Sequence, residues 1–285
     1  MKRKEVQIMA WRSYNSKDNR VFKDALRVNI RCQTITPMLG TKAGNPNIYR
    51  DYIESKAPDA TTIADDLAAG MEVDDVLENA MTVFPKARFF VTEDGQYLDP
   101  QETLITPNMK GELKDMYYIG DWQWRGAFKD FFSAIARTKD KGEPKKGGIK
   151  LKAQGVSAYK KIVNSTWFVF PRRIPLMIPD TYFDDMGKEV SSYDANGNLK
   201  TFERTIRCST PQGERTGLSI SEMVPPGTEF WFQVVLLDPS QEEMLYEAMD
   251  YKCAQGMLQW RNGSMGRLRW QLCDDRGNPL DDNDQ

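Results

Sequence analysis

The apolar run Phe230-Trp231-Phe232-Gln233-Val234-Val235-Leu236-Leu237 constrains the fold of this chain more than any other stretch. Only Gln233 interrupts it, so a strand built from these residues belongs in the middle of a sheet, where both faces are covered. Leu26 to Ile35 supplies a partner of a different kind. Its apolar and polar residues alternate with the two-residue period of a half-buried strand. The loop from Thr36 to Pro46 follows, marked by its prolines and glycines. Arg125 to Arg137 then places Ala127, Phe128, Phe131, Phe132 and Ile135 on one face of an amphipathic helix.

Further strands are expected at Trp167–Phe170, Ile174–Ile178, Gly217–Val224 and Glu229–Leu237. The turn signal Asp194-Ala195-Asn196-Gly197-Asn198 predicts a hairpin between Glu189–Tyr193 and Leu199–Ile206. A second helix runs from Pro239 to Ala254 with Met244, Leu245, Ala248 and Tyr251 inward, and Arg267–Leu272 is the closing strand. Reduced to its core, the order is βαββαβ. The expected fold class is therefore α+β: a ferredoxin-like or RRM-type sheet with two helices on one side, a large helical insertion and β-hairpin extensions. Residues 1–46 and 115–285 make the core. Residues 47–114 make an acidic inserted subdomain with short helices at Thr61–Gly70 and Val73–Ala80.

Among the 285 residues there is no histidine, which removes the side chain best suited to proton transfer near neutral pH and the commonest nitrogen ligand of transition metals. Serine–histidine and cysteine–histidine hydrolysis are excluded. Cys32, Cys208, Cys253 and Cys273 form no C-x-x-C pair and read as small buried residues, so neither zinc, disulfide nor any cofactor is indicated. No stretch is apolar for long enough to cross a bilayer, and the start lacks a secretory signal; the expected location is the cytosol, with no membrane partner.

The net charge of −2 hides blocks of opposite sign. Arg137 to Arg173 is strongly basic, with a lysine- and glycine-rich loop at 139–152. Asp65, Asp66, Glu72, Asp74, Asp75 and Glu78 crowd an acidic stretch, and Asp274, Asp275, Asp281, Asp282 and Asp284 form an acidic tail. This alternation predicts one basic face. Near the end lies Gly256-Met257-Leu258-Gln259-Trp260-Arg261-Asn262-Gly263-Ser264-Met265-Gly266-Arg267, a glycine-broken loop between a helix and a strand. Glycine N–H groups, guanidinium donors and an indole face together suit a phosphate cradle.

Three separated motifs resemble those of the CRISPR-associated RAMP superfamily. Thr36-Pro37-Met38-Leu39-Gly40 is similar to the family's turn after the first strand, Trp124-Arg125-Gly126-Ala127-Phe128-Lys129 to the start of its helix, and Gln259 to Leu268 to its glycine loop. Ser264 stands where the family's first loop glycine is usual. The pattern is also similar to that of uncharacterised phage-encoded proteins. The resemblance implies an RNA-binding backbone subunit that holds single-stranded nucleic acid, RNA before DNA, and is not an enzyme. It implies phosphate and base contacts by Arg31, Lys42, Arg125, Lys129, Lys160, Lys161, Arg172, Arg173, Trp260, Arg261, Asn262 and Arg267. It also implies self-association along the strand, and the acidic tail offers a contact for a protein partner. Trp122, Trp124 and Trp231 are assigned to the interior.

Two rivals compete with this reading. In one, Asp180, Asp184 and Asp185 hold magnesium for strand cleavage in an endoribonuclease of the same fold. In the other, the charge blocks pair between subunits of an assembly protein that touches no nucleic acid.

Overall fold

The computed structural model describes residues 21–43, 82–137, 161–210 and 213–280, without the side chains of 42–43, 136–137, 206–210 and 213–218. In chain order the strands are β1 (Leu26–Thr34), β2 (Met38–Leu39), β3 (Lys42–Ala43), β4 (Thr82–Val83), β5 (Lys86–Thr92), β6 (Tyr97–Leu98) and β7 (Gly111–Gly120). Helix α1 (Asp121–Arg137) follows, then β8 (Trp167–Phe170), β9 (Arg173–Pro175), β10 (Thr181–Phe183), β11 (Glu189–Ser191), β12 (Thr201–Thr210), β13 (Gly213–Val224) and β14 (Glu229–Leu236). Helix α2 (Glu242–Gln255) and β15 (Leu268–Leu272) complete the order.

The central sheet has four strands in the order β15-β1-β14-β8, and each neighbouring pair is antiparallel. Counting only these strands and the two helices, the fourth strand lies beside the first, then the third, then the second. That is the sheet order of the ferredoxin-like βαββαβ fold, so the chain is α+β as its sequence implies. The apolar run places β14 between β1 and β8, in register from Leu26 opposite Leu236 to Gln33 opposite Glu229. Alternation along β1 sends Val28, Ile30 and Cys32 inward.

The helices cover that inner face. Trp124, Phe128 and Phe132 of α1 are fully buried, with Trp124 against Phe232 at 4.4 Å between centroids and Phe128 edge-on to Trp167 at 5.2 Å. From α2, Met244, Leu245, Ala248 and Met249 close the same core. The opposite face carries Asn29, Arg31, Gln33 and Gln233 beside Trp231, and the chain's own C-terminal segment lies against part of it. Asn29 donates to Asp275 Oδ1 at 2.7 Å, and the Trp231 ring lies against Gly277, where a β-carbon would collide with it. Tyr97 of β6 packs edge-on to Trp231 from the side, at 5.3 Å.

The additions to the core are also strands. β12, β13, β4 and β3 form one sheet, with β2 on the side of β13, and β6, β5, β7 and β9 form another. β7 runs without a break through residues 114 and 115, where the sequence suggests a boundary between insertion and core. The short helices expected at 61–70 and 73–80 and the lysine-rich loop at 139–152 lie outside the described residues.

One expected pairing is different. β11 pairs with β10 and β12 with β13, and only the bridge between Tyr193 and Leu199 joins the two sides of the Asp194 turn. The turn itself is present: Asp194 Oδ1 accepts from the amides of Asn196 and Asn198 at 2.8 and 2.9 Å.

Phe128 fills the junction of α1, β8 and the central sheet, so Phe128→Ala leaves a cavity with few ways to collapse. Its stability in urea denaturation should fall by about 3–5 kcal/mol.

Candidate nucleic-acid interface

The three sequence motifs converge on one end of the fold. Thr36 Oγ1 donates to the Ser264 carbonyl at 2.8 Å and accepts the Arg267 amide at 2.8 Å, and the Gly266 amide donates to Pro37 O at 2.7 Å. Gln259 reaches Gly40 O at 2.6 Å and Thr82 Oγ1 at 3.2 Å. Helix α1 joins through Gln123, which donates to Thr41 Oγ1 at 3.0 Å, and through Asp130, which pairs with Arg261.

The glycines of the 256–267 loop are spent inside the chain. The amides of Gly256, Gly263 and Gly266 donate to the carbonyls of Lys252, Trp260 and Pro37. A cradle of glycine N–H groups is therefore not what this loop presents. Gly266 has φ +71°, and a β-carbon there would collide with the Met257 carbonyl, because the two ends of the loop meet at that point. Leu258, Trp260 and Ser264 also adopt positive φ without being glycine, a concentration of backbone strain in one short segment.

That strained backbone holds side chains outward. Trp260 is 40% exposed, with one face on Gly263 and its ring near Phe202 at 5.5 Å and the Arg204 guanidinium at 5.2 Å. The flanking Asn262 is exposed. Arg261 lines a depression with Trp122, Gln123, Leu258 and Asp130. Trp122, 50% exposed, also lines a second depression with Arg125, Arg172, Phe168, Phe170 and Asp121. One strip thus runs from Arg172 and Arg125 past Trp122 to Arg261, Trp260 and Arg204.

Of the residues the resemblance implies, Arg125 and Arg172 line one depression and Arg261 the other, Trp260 and Asn262 flank Arg261 on the loop, and Lys129 is half-buried one turn further along α1. Arg267 is exposed at the base of the loop, and Lys161 is exposed at the start of the helical turn 161–166. Arg31 and Arg173 are engaged elsewhere. Arg31 lies on the outer sheet face, paired with Glu229 and donating to Gly277 O at 3.0 Å. Arg173 is bound through two nitrogens to the buried carboxylate of Asp99. The side chain of Lys42 and all of Lys160 lie outside the described residues.

Trp122 departs from its expected burial. It sits two positions before Trp124 on the same helix, and residues two apart face different sides. The apolar face of Trp124, Ala127, Phe128 and Phe131 therefore excludes it, a signal already present in the helical period. Arg204 and Phe202 gave no local signal, since only the folded β12 brings them to the loop.

Of the aspartates proposed for metal binding, Asp184 serves a turn. Asp184 Oδ1 accepts from the amides of Met186 and Lys188 at 3.0 and 2.9 Å, closing the β10–β11 hairpin. Among the described residues, no group of three or more acidic or cysteine side chains is arranged to hold a metal ion. Of the acidic tail, Asp274 caps its own turn and Asp275 holds Asn29, while 281–285 lie outside the described residues. No helix among the described residues is long and apolar enough to cross a membrane.

No family model matches this chain, and no curated protein does. Among solved structures it is similar to a chain of a Type III-B Cmr-beta complex bound to cognate target RNA, at 9% identity and a TM-score of 0.36, over 88% of this chain and 59% of that one. It is also similar to a chain of a Type IV-B CRISPR complex, at 10% identity and a TM-score of 0.39, over 88% of this chain and 91% of that one. The chain thus spans 59% of the length of the first of these.

A titratable group lies under the strip. Lys252 is fully buried, and its ammonium donates to Asp130 Oδ2 at 3.2 Å and to Gln255. Burial lowers its pKa to about 8; the Asp130 charge opposes this and the Arg261 charge adds to it. The folded chain thus holds fewer protons than the unfolded one between about pH 8 and the ordinary lysine value near 10.4, so this group makes stability rise with pH across that window. Burial raises the thiols of Cys32, Cys253 and Cys273, which act in the opposite direction at alkaline pH. The contribution is isolated by comparison with Lys252→Met. From about pH 7.5 to about pH 9 the native chain should gain about 1 kcal/mol relative to that variant in urea denaturation.

Proposed function

We propose that this chain binds single-stranded nucleic acid along the strip from Arg172 to Arg204, as a binding protein and not as an enzyme. The observation that carries the reading is Trp122: a tryptophan half open to solvent, seated between two depressions that each contain an arginine. Indole rings are rarely left uncovered by a chain with a core to bury them in, and every base offers a face for them to stack on. Trp260, pinned on Gly263 with Arg204 beside it, repeats the combination further along. Guanidinium groups beside each ring would meet the phosphates that link stacked bases.

The charge of the strip is moderate. Arg125 shares its charge with Asp121 and Arg261 with Asp130, while Arg172 and Arg204 make no ion pair with a described residue. Stacking then contributes a larger share of the affinity than counterion release does. RNA is preferred to DNA on the resemblance of the three motifs to RNA-binding backbone subunits, and copies placed head to tail along one strand are the assembly this implies. Light scattering with and without oligonucleotide tests that assembly. Growth of particles only after addition supports it, and assembly of the protein alone supports the structural rival.

Binding of RNA and DNA oligonucleotides of matched sequence, followed by fluorescence anisotropy over a range of salt, tests the reading. For roughly three phosphate contacts the plot of log K against log salt should have a slope of about −2. Arg172→Glu should weaken binding about tenfold and make that slope shallower, whereas Trp122→Ala should weaken it similarly and leave the slope unchanged. An absence of binding at low salt, or variants without effect, would overturn the proposal.

A further inference from the structure

Next to the depression that Arg261 and Asp130 line, two cations share one pair of acceptors. Asp130 Oδ2 accepts from the Lys252 ammonium at 3.2 Å and from Nη1 of Arg261, and Gln255 Oε1 accepts from the same ammonium and, at 3.3 Å, from the same Nη1. The groups that face Lys252 are therefore Asp130 from α1, Arg261 from the loop, and Gln255 with the Tyr251 ring, 5.3 Å away, from α2 itself. Two positive charges stand against one carboxylate. The cluster keeps a positive excess.

That excess has one outlet. Lys252 is fully buried, whereas the Arg261 side chain is 35% exposed. Nη1 of Arg261 is engaged, but its Nε and Nη2 make no hydrogen bond with a described residue. This edge of a guanidinium offers two parallel N–H donors, the geometry that suits an oxyanion. Because Lys252 already meets the Asp130 charge from behind, Arg261 retains a charge of its own to offer.

We infer that a phosphate of the bound strand completes this cluster on the Nε–Nη2 edge of Arg261, and that Lys252, which never touches the ligand, is the positioning residue that keeps Arg261 available to it. The inference rests on the binding reading given above and adds to it a coupling between strand and proton. Burial lowers the Lys252 pKa to about 8, with the Asp130 charge opposing this and the Arg261 charge adding to it. A phosphate at Arg261 offsets the last of these contributions and so raises the pKa. The complex then holds more protons than the free chain between about pH 8 and the raised value, and affinity falls as pH rises through that window. Binding takes up protons in the same measure.

The experiment follows the binding of oligocytidylate, whose bases do not titrate in this range, by anisotropy from about pH 7 to about pH 9.5. The native chain should lose affinity about threefold over that interval. Lys252→Met, in which Asp130 and Arg261 cancel one another, should bind about threefold more weakly at the lower pH and show a flat profile, so that the two proteins converge at the upper end. Arg261→Gln removes both the phosphate contact and the repulsion of Lys252; it should weaken binding and flatten the profile, and it decides the matter if Lys252→Met does not fold. A flat profile in the native chain, or the native slope kept in either variant, would overturn the coupling and leave the binding reading standing. Failure to bind at any pH would remove both.

Discussion

Asp130 holds the working end of this molecule together. It lies on the face of α1 turned towards α2, and it takes both the buried ammonium of Lys252 and the guanidinium of Arg261. A fully buried lysine is costly unless its charge is met, and here Asp130 and Gln255 meet it. Burial alone would raise the Asp130 carboxyl, but the hydrogen bonds and charges of Arg261 and Lys252 outweigh that and hold it below its ordinary value. Without this carboxylate two cations would face one another where the helices and the loop meet. The same junction ties α1, which carries Trp122, to the loop that carries Trp260.

In the loop between α2 and β15, the glycines act on the backbone's own closure. Its glycine amides close the segment on Pro37, Trp260 and Lys252, and its tight crossing leaves no room for a β-carbon at Gly266. What that closure achieves is orientation. The left-handed backbone at Trp260 is sparsely populated for a tryptophan and persists because the hydrogen bonds around it leave no alternative. Conformational cost is thus placed where an exposed ring must be held still.

Much of the fold was legible because its signals are local. The alternation of Leu26 to Ile35, the apolar run at Phe230 and the helical stripe from Ala127 to Ile135 each specify an element with no reference to the rest of the chain. The partners of β11 and β12 were not legible, because a turn such as Asp194–Asn198 reverses the chain but leaves the long pairing to residues far away. The same distinction divides the site. Arg31 and Arg173 look in sequence like Arg125 and Arg172, and only the fold supplies the Glu229 and Asp99 that engage them. Trp122 was readable from helical geometry, whereas the Arg204 contact with Trp260 depends on the sheet that carries β12. The basic run at 139–152, a strong charge signal in the sequence, lies outside the described residues.

A net charge of −2 is compatible with a surface for polyanions because of where the acids stand. Asp121 and Asp130 lie beneath the arginines they hold, and Glu102 accepts the backbone amide of Arg172 at 2.9 Å. An acid in that position weakens the field at a distance but fixes the guanidinium group, so that less side-chain entropy is lost when a phosphate arrives. Attraction over long range is exchanged for order at short range. In the proposed binding, such a surface would discriminate by the fit of rings more than by charge density, and the indole faces of Trp122 and Trp260 are where that fit would be read.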